Sequence, residues 1–351
     1  MAAFLIACGG EAETEGAAPD AGDTGPHDAA ADARPGDAMP DMAPDLMPDS
    51  RPPDARPLPG LPRAEGPPAG LFDCTADFVD PGRRSPVPLD CVLDPDCDAP
   101  MVVGHRGAGG QLGTVAPENS LAGIRAALLM GLDGIELDVR HTADDRLVVL
   151  HDSTVDRTAF GEGPADAFTQ AELAAMALRP PARDDTPGDF GCETIPTLEQ
   201  AFALTRGRLF VDLDTKTSRV DLVVRAIVDA GLVDEVFVSV SSVDRAVRAR
   251  AIEPTIRVQI RPDTPEQYAE AMALLPGRPP EIVEVPVDRL TEMAPPIRAA
   301  GQKVFTNAFG DDAVALLRGR VAVYLDRYAE GAHILQSEYP SLVVEALDRA
   351  R

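Results

Sequence analysis

Long apolar runs are missing from this 351-residue chain. Past the first few residues no stretch approaches the roughly 20 consecutive apolar residues that a bilayer-spanning helix needs. Positive charge is scarce too: 32 Lys and Arg stand against 58 Asp and Glu, a formal net charge of −26. That balance leaves no basic face for nucleic-acid phosphates, and it repels anionic lipid. A small phosphodiester is not excluded, because a bound metal and one or two cations can reverse the field inside a pocket. Among the five cysteines there is no Cys-x-x-Cys and no Cys/His cluster of ligand spacing, which argues against structural zinc. Aromatic residues are almost absent from residues 1–70, whereas 13 of the 34 prolines lie there, with Pro-Asp units repeated between Asp37 and Asp54. Such a segment cannot bury enough apolar surface to offset chain ordering. Residues 1–70 therefore read as a disordered acidic tether, and the remainder suits one domain of about 250 residues.

Leu5-Ile6-Ala7-Cys8-Gly9 matches the lipobox at which bacterial lipoproteins are cleaved and acylated. The residues before Cys8 are too few for a full signal, which needs a basic start and an apolar run of about 7 to 15 residues. With a long tether after it, Cys8 is nonetheless read as a lipid anchor, placing the protein outside the cytoplasm as a lipoprotein or a secreted protein. Cys74, Cys91, Cys97 and Cys192 are an even set that suits an oxidising compartment, and three pairings remain open.

Residues 71–100 form a cysteine-bearing lead-in with little periodicity, expected to be irregular and stapled to the domain. From Met101 onward, β-rich runs alternate with helical stretches. Eight strands are predicted: Met101 to Gly104, Gly134 to Val139, Leu209 to Asp214, Val236 to Val240, Ile256 to Ile260, Ile282 to Val285, Lys303 to Thr306 and His333 to Leu335. Helices are expected between them, for example Leu121 to Met130, capped by Asn119 or Ser120 and closed by Gly131, and Arg219 to Ala230, closed by Gly231. Eight β-then-α units favour an α/β fold of the TIM-type (β/α)8 barrel over residues 101–351.

Strand phase sharpens the expectation, since alternate residues of a barrel strand face the lumen and the helix layer. Ile135, Leu137 and Val139 share one face of the second strand, Glu136 and Asp138 the other. In the third, Leu209, Val211 and Leu213 oppose Asp212, Asp214 and Lys216. Both strands thus aim carboxylates into the lumen near their C-terminal ends, where barrel enzymes place their chemistry. His105 and Arg106 follow the first strand at the same rim. Histidine can move protons near neutral pH, and arginine can fork onto phosphate oxygens. On its own, His-Arg-Gly is a weak signal that an ordinary loop histidine would explain.

The ordered set that follows carries more weight: Pro117-Glu118-Asn119-Ser120; Gly131 through Glu136, Asp138 and Val139; Thr142; Val148 to His151-Asp152; Asp156-Arg157-Thr158 with Gly161 and Gly163. Further on come Ile195 to Glu199, Asp214-Thr215-Lys216, and Gly331-Ala332 to Pro340. Taken together, residues from about Met101 to Arg351 resemble the glycerophosphodiester phosphodiesterase family. The resemblance implies that Glu136, Asp138 and Asp214 bind a divalent metal. It further implies that His105 and His151 are an acid/base pair whose two roles are not assigned, and that Arg106 and Lys216 hold the substrate phosphate. Oxygen ligation suits Mg²⁺ and Ca²⁺ alike. Without a cation, three carboxylates in one lumen would repel each other and take up protons. The implied substrate is a small glycerophosphodiester, cleaved to sn-glycerol 3-phosphate and an alcohol, with a substrate hydroxyl or a water as the attacking group.

The chain departs from the family pattern in four places. The Gly107 to Pro117 segment is longer than usual. Asp214 stands where Glu is common, with Asp212 a competing ligand. The seventh strand ends at Asn307 where Trp is usual, and Ser337-Glu338 replaces Thr-Asp. Glu118 is a candidate contact for substrate or metal, while Asn119 and Ser120 are explained equally well as helix caps. Asp152 is read as holding its turn more than orienting His151, and Arg157 as stabilising its own loop. His27 and His141 read as solvated, His333 as structural, and the charged stretch from Asp244 to Arg250 as a solvated face. Two other functions fit the sequence: a phospholipase D-like relative acting on lysophospholipid or sphingomyelin head groups, and an inactive barrel serving as a surface binding module. The oligomeric state is not legible.

Overall fold

The computed structural model describes residues 80, 82–110, 115–180, 190–275 and 277–350. Cys8, His27, Cys74 and the tether lie outside the described residues. Nine strands form one sheet: β1 (Met101–Gly104), β2 (Gly134–His141), β3 (Leu147–Val149), β4 (Phe210–Thr215), β5 (Val236–Ser239), β6 (Arg257–Ile260), β7 (Ile282–Glu284), β8 (Lys303–Asn307) and β9 (Ile334–Ser337). Their order is β1-β9-β8-β7-β6-β5-β4-β2-β3, and an additional parallel pairing of β1 with β2 closes the ring. Eight parallel strands thus make a closed barrel, in line with the expected (β/α)8 fold. The ninth, β3, was not predicted. It is three residues long, too short to show a period, and it pairs antiparallel with the upper part of β2.

Helices alternate with the strands. α1 (Leu121–Met130) joins β1 to β2; α2 (Gln170–Ala174) and α3 (Leu198–Thr205) precede β4; α4 (Val220–Asp229), α5 (Val243–Ile252), α6 (Pro265–Leu274) and α7 (Leu290–Ala299) follow in turn. α8 (Phe309–Arg318) and α9 (Val323–Ala329) separate β8 from β9, and α10 (Pro340–Ala350) closes the chain. α1 shows why such helices sit where they do. The Ser120 hydroxyl accepts from the Gly123 N–H, and Gly131 ends the helix in the left-handed conformation, φ +74°.

The expected alternation organises the core. Ile135, Leu137 and Val139 of β2, Val211 and Leu213 of β4, and Val258 and Ile260 of β6 pack outward against the helices in one continuous cluster. Their neighbours point into the lumen, which has two halves. At the N-terminal end of the strands Met101, Val103, Phe210, Phe237, Ile282, Phe305 and Ile334 form an apolar plug. Phe210 and Phe237 meet edge to face there, with centroids 6.1 Å apart. Gly134 makes room for this plug, because a Cβ at that position would lie 2.5 Å from the Phe210 ring. Val87, Cys91 and Val92 of the lead-in extend the plug from below, around a short 3₁₀ turn at Leu89–Val92. The Cys91–Cys97 disulfide closes this turn, so it staples the lead-in to itself; Cys192 is disulfide-bonded as well. A satellite cluster of Val148, Leu150, Val155, Ala159, Ala165, Leu173, Leu178 and Ile195 supports the excursion between β3 and α3. No helix among the described residues is long and apolar enough to cross a membrane.

Candidate functional site

Above the plug the lumen turns polar, and the C-terminal ends of β1, β2 and β4 converge. Glu136, Asp138 and Asp214 are buried and offer ligand oxygens that all lie within 4.8 Å of one another. Direct pairing of β2 with β4 produces this, setting Glu136 beside Asp212 and Asp138 beside Asp214 in register. Asp212, the competing ligand, lies one layer deeper. Gln259 Nε2 donates to its Oδ2 at 2.9 Å, and burial pushes its carboxyl up to about 8. It is not a member of the three-carboxylate cluster.

Electrostatics distinguish the three acids. Burial, reinforced by the charges of Asp138, Asp214 and Asp212, drives Glu136 well above the usual carboxylate range. Burial opposes ionisation of Asp138 as well, but Arg106, Lys216 and His151 outweigh it, helped by an Asn119 hydrogen bond, and hold that carboxyl low. For Asp214 the burial penalty is again outweighed, here by Arg261 and Lys216. One carboxylate of the trio is thus left strained for want of positive charge. A hard divalent cation with oxygen ligands would supply that charge, so the donor set fits one.

The first strand delivers the neighbouring groups through a tight turn. Gly104 has no room for a side chain, since a Cβ there would lie 2.0 Å from the Gly107 carbonyl oxygen. Arg106 adopts a left-handed backbone, φ +49°, and its N–H donates to Glu136 Oε2 at 2.8 Å. Its guanidinium lies 3.5 Å from Asp138 Oδ2, and its Nη1 donates to Glu118 Oε1 at 3.0 Å. Lys216 Nζ lies 3.1 Å from Asp214 Oδ2 and 3.6 Å from Asp138 Oδ1. Both predicted phosphate-binding cations therefore border the carboxylate cluster.

His105 Nδ1 lies 2.5 Å from Glu338 Oε1, the ring packs 4.9 Å from Phe309, and Nε2 is 3.8 Å from Glu136 Oε2. His151 is held in the same manner, its Nδ1 being 2.7 Å from Asp152 Oδ1, and its charge acts on Asp138. Each imidazole thus has a carboxylate behind it that fixes ring orientation and tautomer.

Several neighbours of the site behave differently from their sequence reading. Asn119, with φ +53°, donates to Asp138 Oδ2 at 2.7 Å and accepts from the Asp138 N–H at 3.2 Å, so it holds an acid while Ser120 alone caps α1. Asp152 orients His151 besides holding its turn. Arg157 reaches beyond its own loop, donating to Glu118 at 2.7 Å from both terminal nitrogens. Glu118 is correspondingly committed to two arginines and lies outside the carboxylate cluster. His141 Nδ1 lies 2.7 Å from the Thr217 hydroxyl, so it is not simply solvated. His333 is structural: its Nδ1 accepts from the Val304 N–H at 2.9 Å, and burial, with Arg298 and Lys303, lowers it to about 4.

Two further residues of the mouth, the part-buried Arg261 and the buried Glu338, were not among the predicted site residues. Arg261 lies 2.8 Å from Asp214 Oδ2 and 2.7 Å from Glu284 Oε2. Glu338 backs His105. Both continue the lumen-facing phase of their strands, Arg261 two residues after Gln259 and Glu338 two after Gln336. The signal was therefore available, but β9 was predicted to stop at Leu335 and runs instead to Ser337.

The mouth of this closed (β/α)8 barrel gathers two carboxylate-backed imidazoles, three buried acids and two cations, a donor set that fits a divalent cation and an anionic ligand. Residues 105–256 match the model of the glycerophosphoryl diester phosphodiesterase family. Over that span, less than half of its 351 residues, the chain resembles the glycerophosphodiester phosphodiesterase family. It is similar to the glycerophosphodiester phosphodiesterase of Caldanaerobacter subterraneus subsp. tengcongensis, 40% identical over 118 residues, 33% of this chain and 45% of that protein. The chain thus matches less than half the length of that relative. Among solved structures, a glycerophosphoryl diester phosphodiesterase from Parabacteroides distasonis superposes with a TM-score of 0.65 at 24% identity, covering 75% of this chain and 91% of that one. A phosphodiesterase from Oleispira antarctica, solved in complex with the product sn-glycerol-3-phosphate, superposes with a TM-score of 0.58 at 24% identity, over 71% and 97% of the two chains. At these identities the two structures speak for the fold.

Proposed function

We propose that this protein hydrolyses small glycerophosphodiesters to sn-glycerol 3-phosphate and an alcohol, with Mg²⁺ or Ca²⁺ held by Glu136, Asp138 and Asp214. One observation carries the reading: three buried carboxylates within 4.8 Å of one another, bordered by His105, Arg106 and Lys216. When bound, the cation supplies charge neutralisation for the acids and Lewis acidity toward a phosphoryl oxygen. Arg106 and Lys216 hold the remaining phosphoryl oxygens and offset the charge that accumulates in the transition state. His105 and His151 divide the proton transfers: one takes the proton of the attacking group, a water or the substrate's own glycerol hydroxyl, and the other gives a proton to the departing alkoxide; where the glycerol hydroxyl attacks, a water then opens the cyclic phosphate to sn-glycerol 3-phosphate. The carboxylates behind their Nδ1 atoms keep Nε2 of each ring as the working nitrogen. The Oleispira protein, bound to its sn-glycerol-3-phosphate product, supports the choice of product.

The test is product analysis. Purified protein with Mg²⁺ or Ca²⁺ is given glycerophosphocholine, glycerophosphoethanolamine and other glycerophosphodiesters, and release of phosphomonoester and free alcohol is followed. No phosphomonoester from any of them would end the proposal; His105→Ala and His151→Ala are each expected to lower turnover by about 10²- to 10⁴-fold.

The protein is further proposed to act outside the cytoplasm, anchored through a lipidated Cys8. The disulfide bonding of Cys91, Cys97 and Cys192 supports an oxidising compartment. Mass spectrometry of the mature N-terminus tests the anchor, with diacylglycerol on Cys8 expected and an unmodified thiol counting against it.

A further inference from the structure

The loop after β1 and the loop after β3 are joined by an unbroken chain of charged side chains. Arg106 Nη1 donates to Glu118 Oε1 at 3.0 Å. Glu118 accepts from Arg157 Nη1 and Nη2, both at 2.7 Å. Arg157 turns its other edge to Asp152, with Nε donating to Oδ2 at 2.7 Å and Nη2 to Oδ1 at 3.0 Å. Asp152 Oδ1 lies 2.7 Å from His151 Nδ1. Charge alternates from Arg106 through Glu118 and Arg157 to Asp152, and Arg157 is the one member that forks onto two carboxylates from different loops.

From this geometry we infer that Arg157 is a positioning residue, coupling the proton-transferring His151 to the phosphate-binding Arg106 by clamping Asp152 and Glu118 in one plane. The inference rests on the proposed phosphodiesterase reading for its kinetic consequences, though not for its structural one. Each guanidinium edge fits a carboxylate in two-point fashion, which fixes direction as well as distance. An ammonium cannot reproduce that fork, so charge alone does not suffice. Glu118 and Asp152 gain separately: the burial cost is more than offset at Glu118 by Arg157 and Arg106, and at Asp152 by the His151 hydrogen bond together with Arg157, so both stay ionised and able to hold their partners. Arg157 is itself part-exposed, with 39% of its side chain accessible. It therefore bridges over the site and is not part of the core, and its loss leaves the barrel plug untouched.

The two halves of the clamp predict different kinetic signatures. Through Glu118, Arg157 governs the seating of Arg106, which appears in KM. Through Asp152 it governs the aim of His151, which appears in kcat. Arg157→Ala is expected to lower kcat by about 10- to 100-fold and to raise KM, since a misplacement of about 1 Å can cost that much. Arg157→Lys is expected to rescue little. In double variants the kcat loss of Arg157→Ala should largely vanish when Asp152→Asn is already present, and the KM rise should vanish on an Glu118→Gln background. Independent losses in both cycles would overturn the coupling.

Imidazole ¹⁵N spectra of the full-length protein supply a readout that needs no turnover. Arg157→Ala should change the tautomer or exchange behaviour of His151 and leave His105 as in the wild type. A His151 signal indifferent to Arg157→Ala would overturn the inference even if the enzyme is active. A changed His151 signal in a protein that cleaves no glycerophosphodiester would uphold the clamp and sink the proposed reaction instead.

Discussion

The two ends of the barrel lumen are built by the same strands in the same phase, yet they differ in almost every physical respect. At the N-terminal end the inward positions are Met101, Val103, Phe210, Phe237, Ile282, Phe305 and Ile334, which bury apolar surface and need no partners. Two residues further along, the inward positions become Glu136, Asp212, Gln259, Glu284 and Gln336, and above them Asp138, Asp214 and Arg261. The lower half contributes stability, of order 1.5 to 3 kcal/mol for each large side chain fully buried. The upper half costs stability, because several carboxylates share one buried space and Glu136 is driven far from its normal ionisation. The apolar plug and the larger cluster between the strands and the helices offset that cost. Function here is concentrated where the local free energy is least favourable.

That contrast can be broken by experiment. The largest effect is expected from Glu136→Gln, which should lower turnover about 10³-fold or more and abolish the rise in melting temperature on adding Mg²⁺ or Ca²⁺. In chelator the same variant should melt at or above the wild type, because it removes a carboxyl that burial and the neighbouring Asp138, Asp214 and Asp212 force toward protonation. A clear loss of chelator-state stability would contradict the contrast. Next in size, Phe237→Ala in the plug should cost about 3 to 5 kcal/mol in denaturant unfolding, with the KM of the molecules that remain folded unchanged. A smaller cost of about 1 to 3 kcal/mol is expected from Gly134→Ala, whose new methyl would press on the Phe210 ring.

The smallest effects are pH slopes of opposite sign at the two ends. Asp312, behind Glu338, is raised to about 7 by burial, so between about pH 4 and 7 the folded state binds more protons than the unfolded. Its contribution to stability is greatest below that window and declines as pH rises through it. His333, near the plug, is lowered to about 4, chiefly by burial. Its contribution is intact above the unfolded value of 6.5 and is lost as pH falls toward 4. Chemical denaturation across pH 4 to 7 should show Asp312→Asn stability rising relative to wild type with pH. The His333→Gln difference should run the other way, each by no more than about 1.4 kcal/mol per pH unit.

Much of this molecule is legible in its sequence. Eight strands were located to within a residue or two, the accuracy that boundaries permit. The alternation in β2 and β4 correctly set Glu136 and Asp138 on one face, with Asp214 and Lys216 in matching phase. That information is local: period two within a strand decides which face a side chain takes. The loop residues were less legible for a physical reason. Glu338 approaches His105 across 233 positions, and Arg157 meets Glu118 across 39. No periodicity records such contacts, so Arg157 looked like a residue of its own loop and Asn119 like a cap. Arg261 and Asp214, 47 positions apart, meet only because β4, β5 and β6 lie side by side in the closed ring.

The barrel, the inward carboxylates and the order of the candidate groups follow from the amino-acid order alone, because strand phase, helix caps and motif spacing are written within a few residues of one another. Which acids share a cluster, which carboxylate stands behind each imidazole, and that Arg157 ties the two loops together emerge once the chain is folded. Those choices depend on ring closure and strand register, which set the distances between side chains that the chain itself keeps far apart.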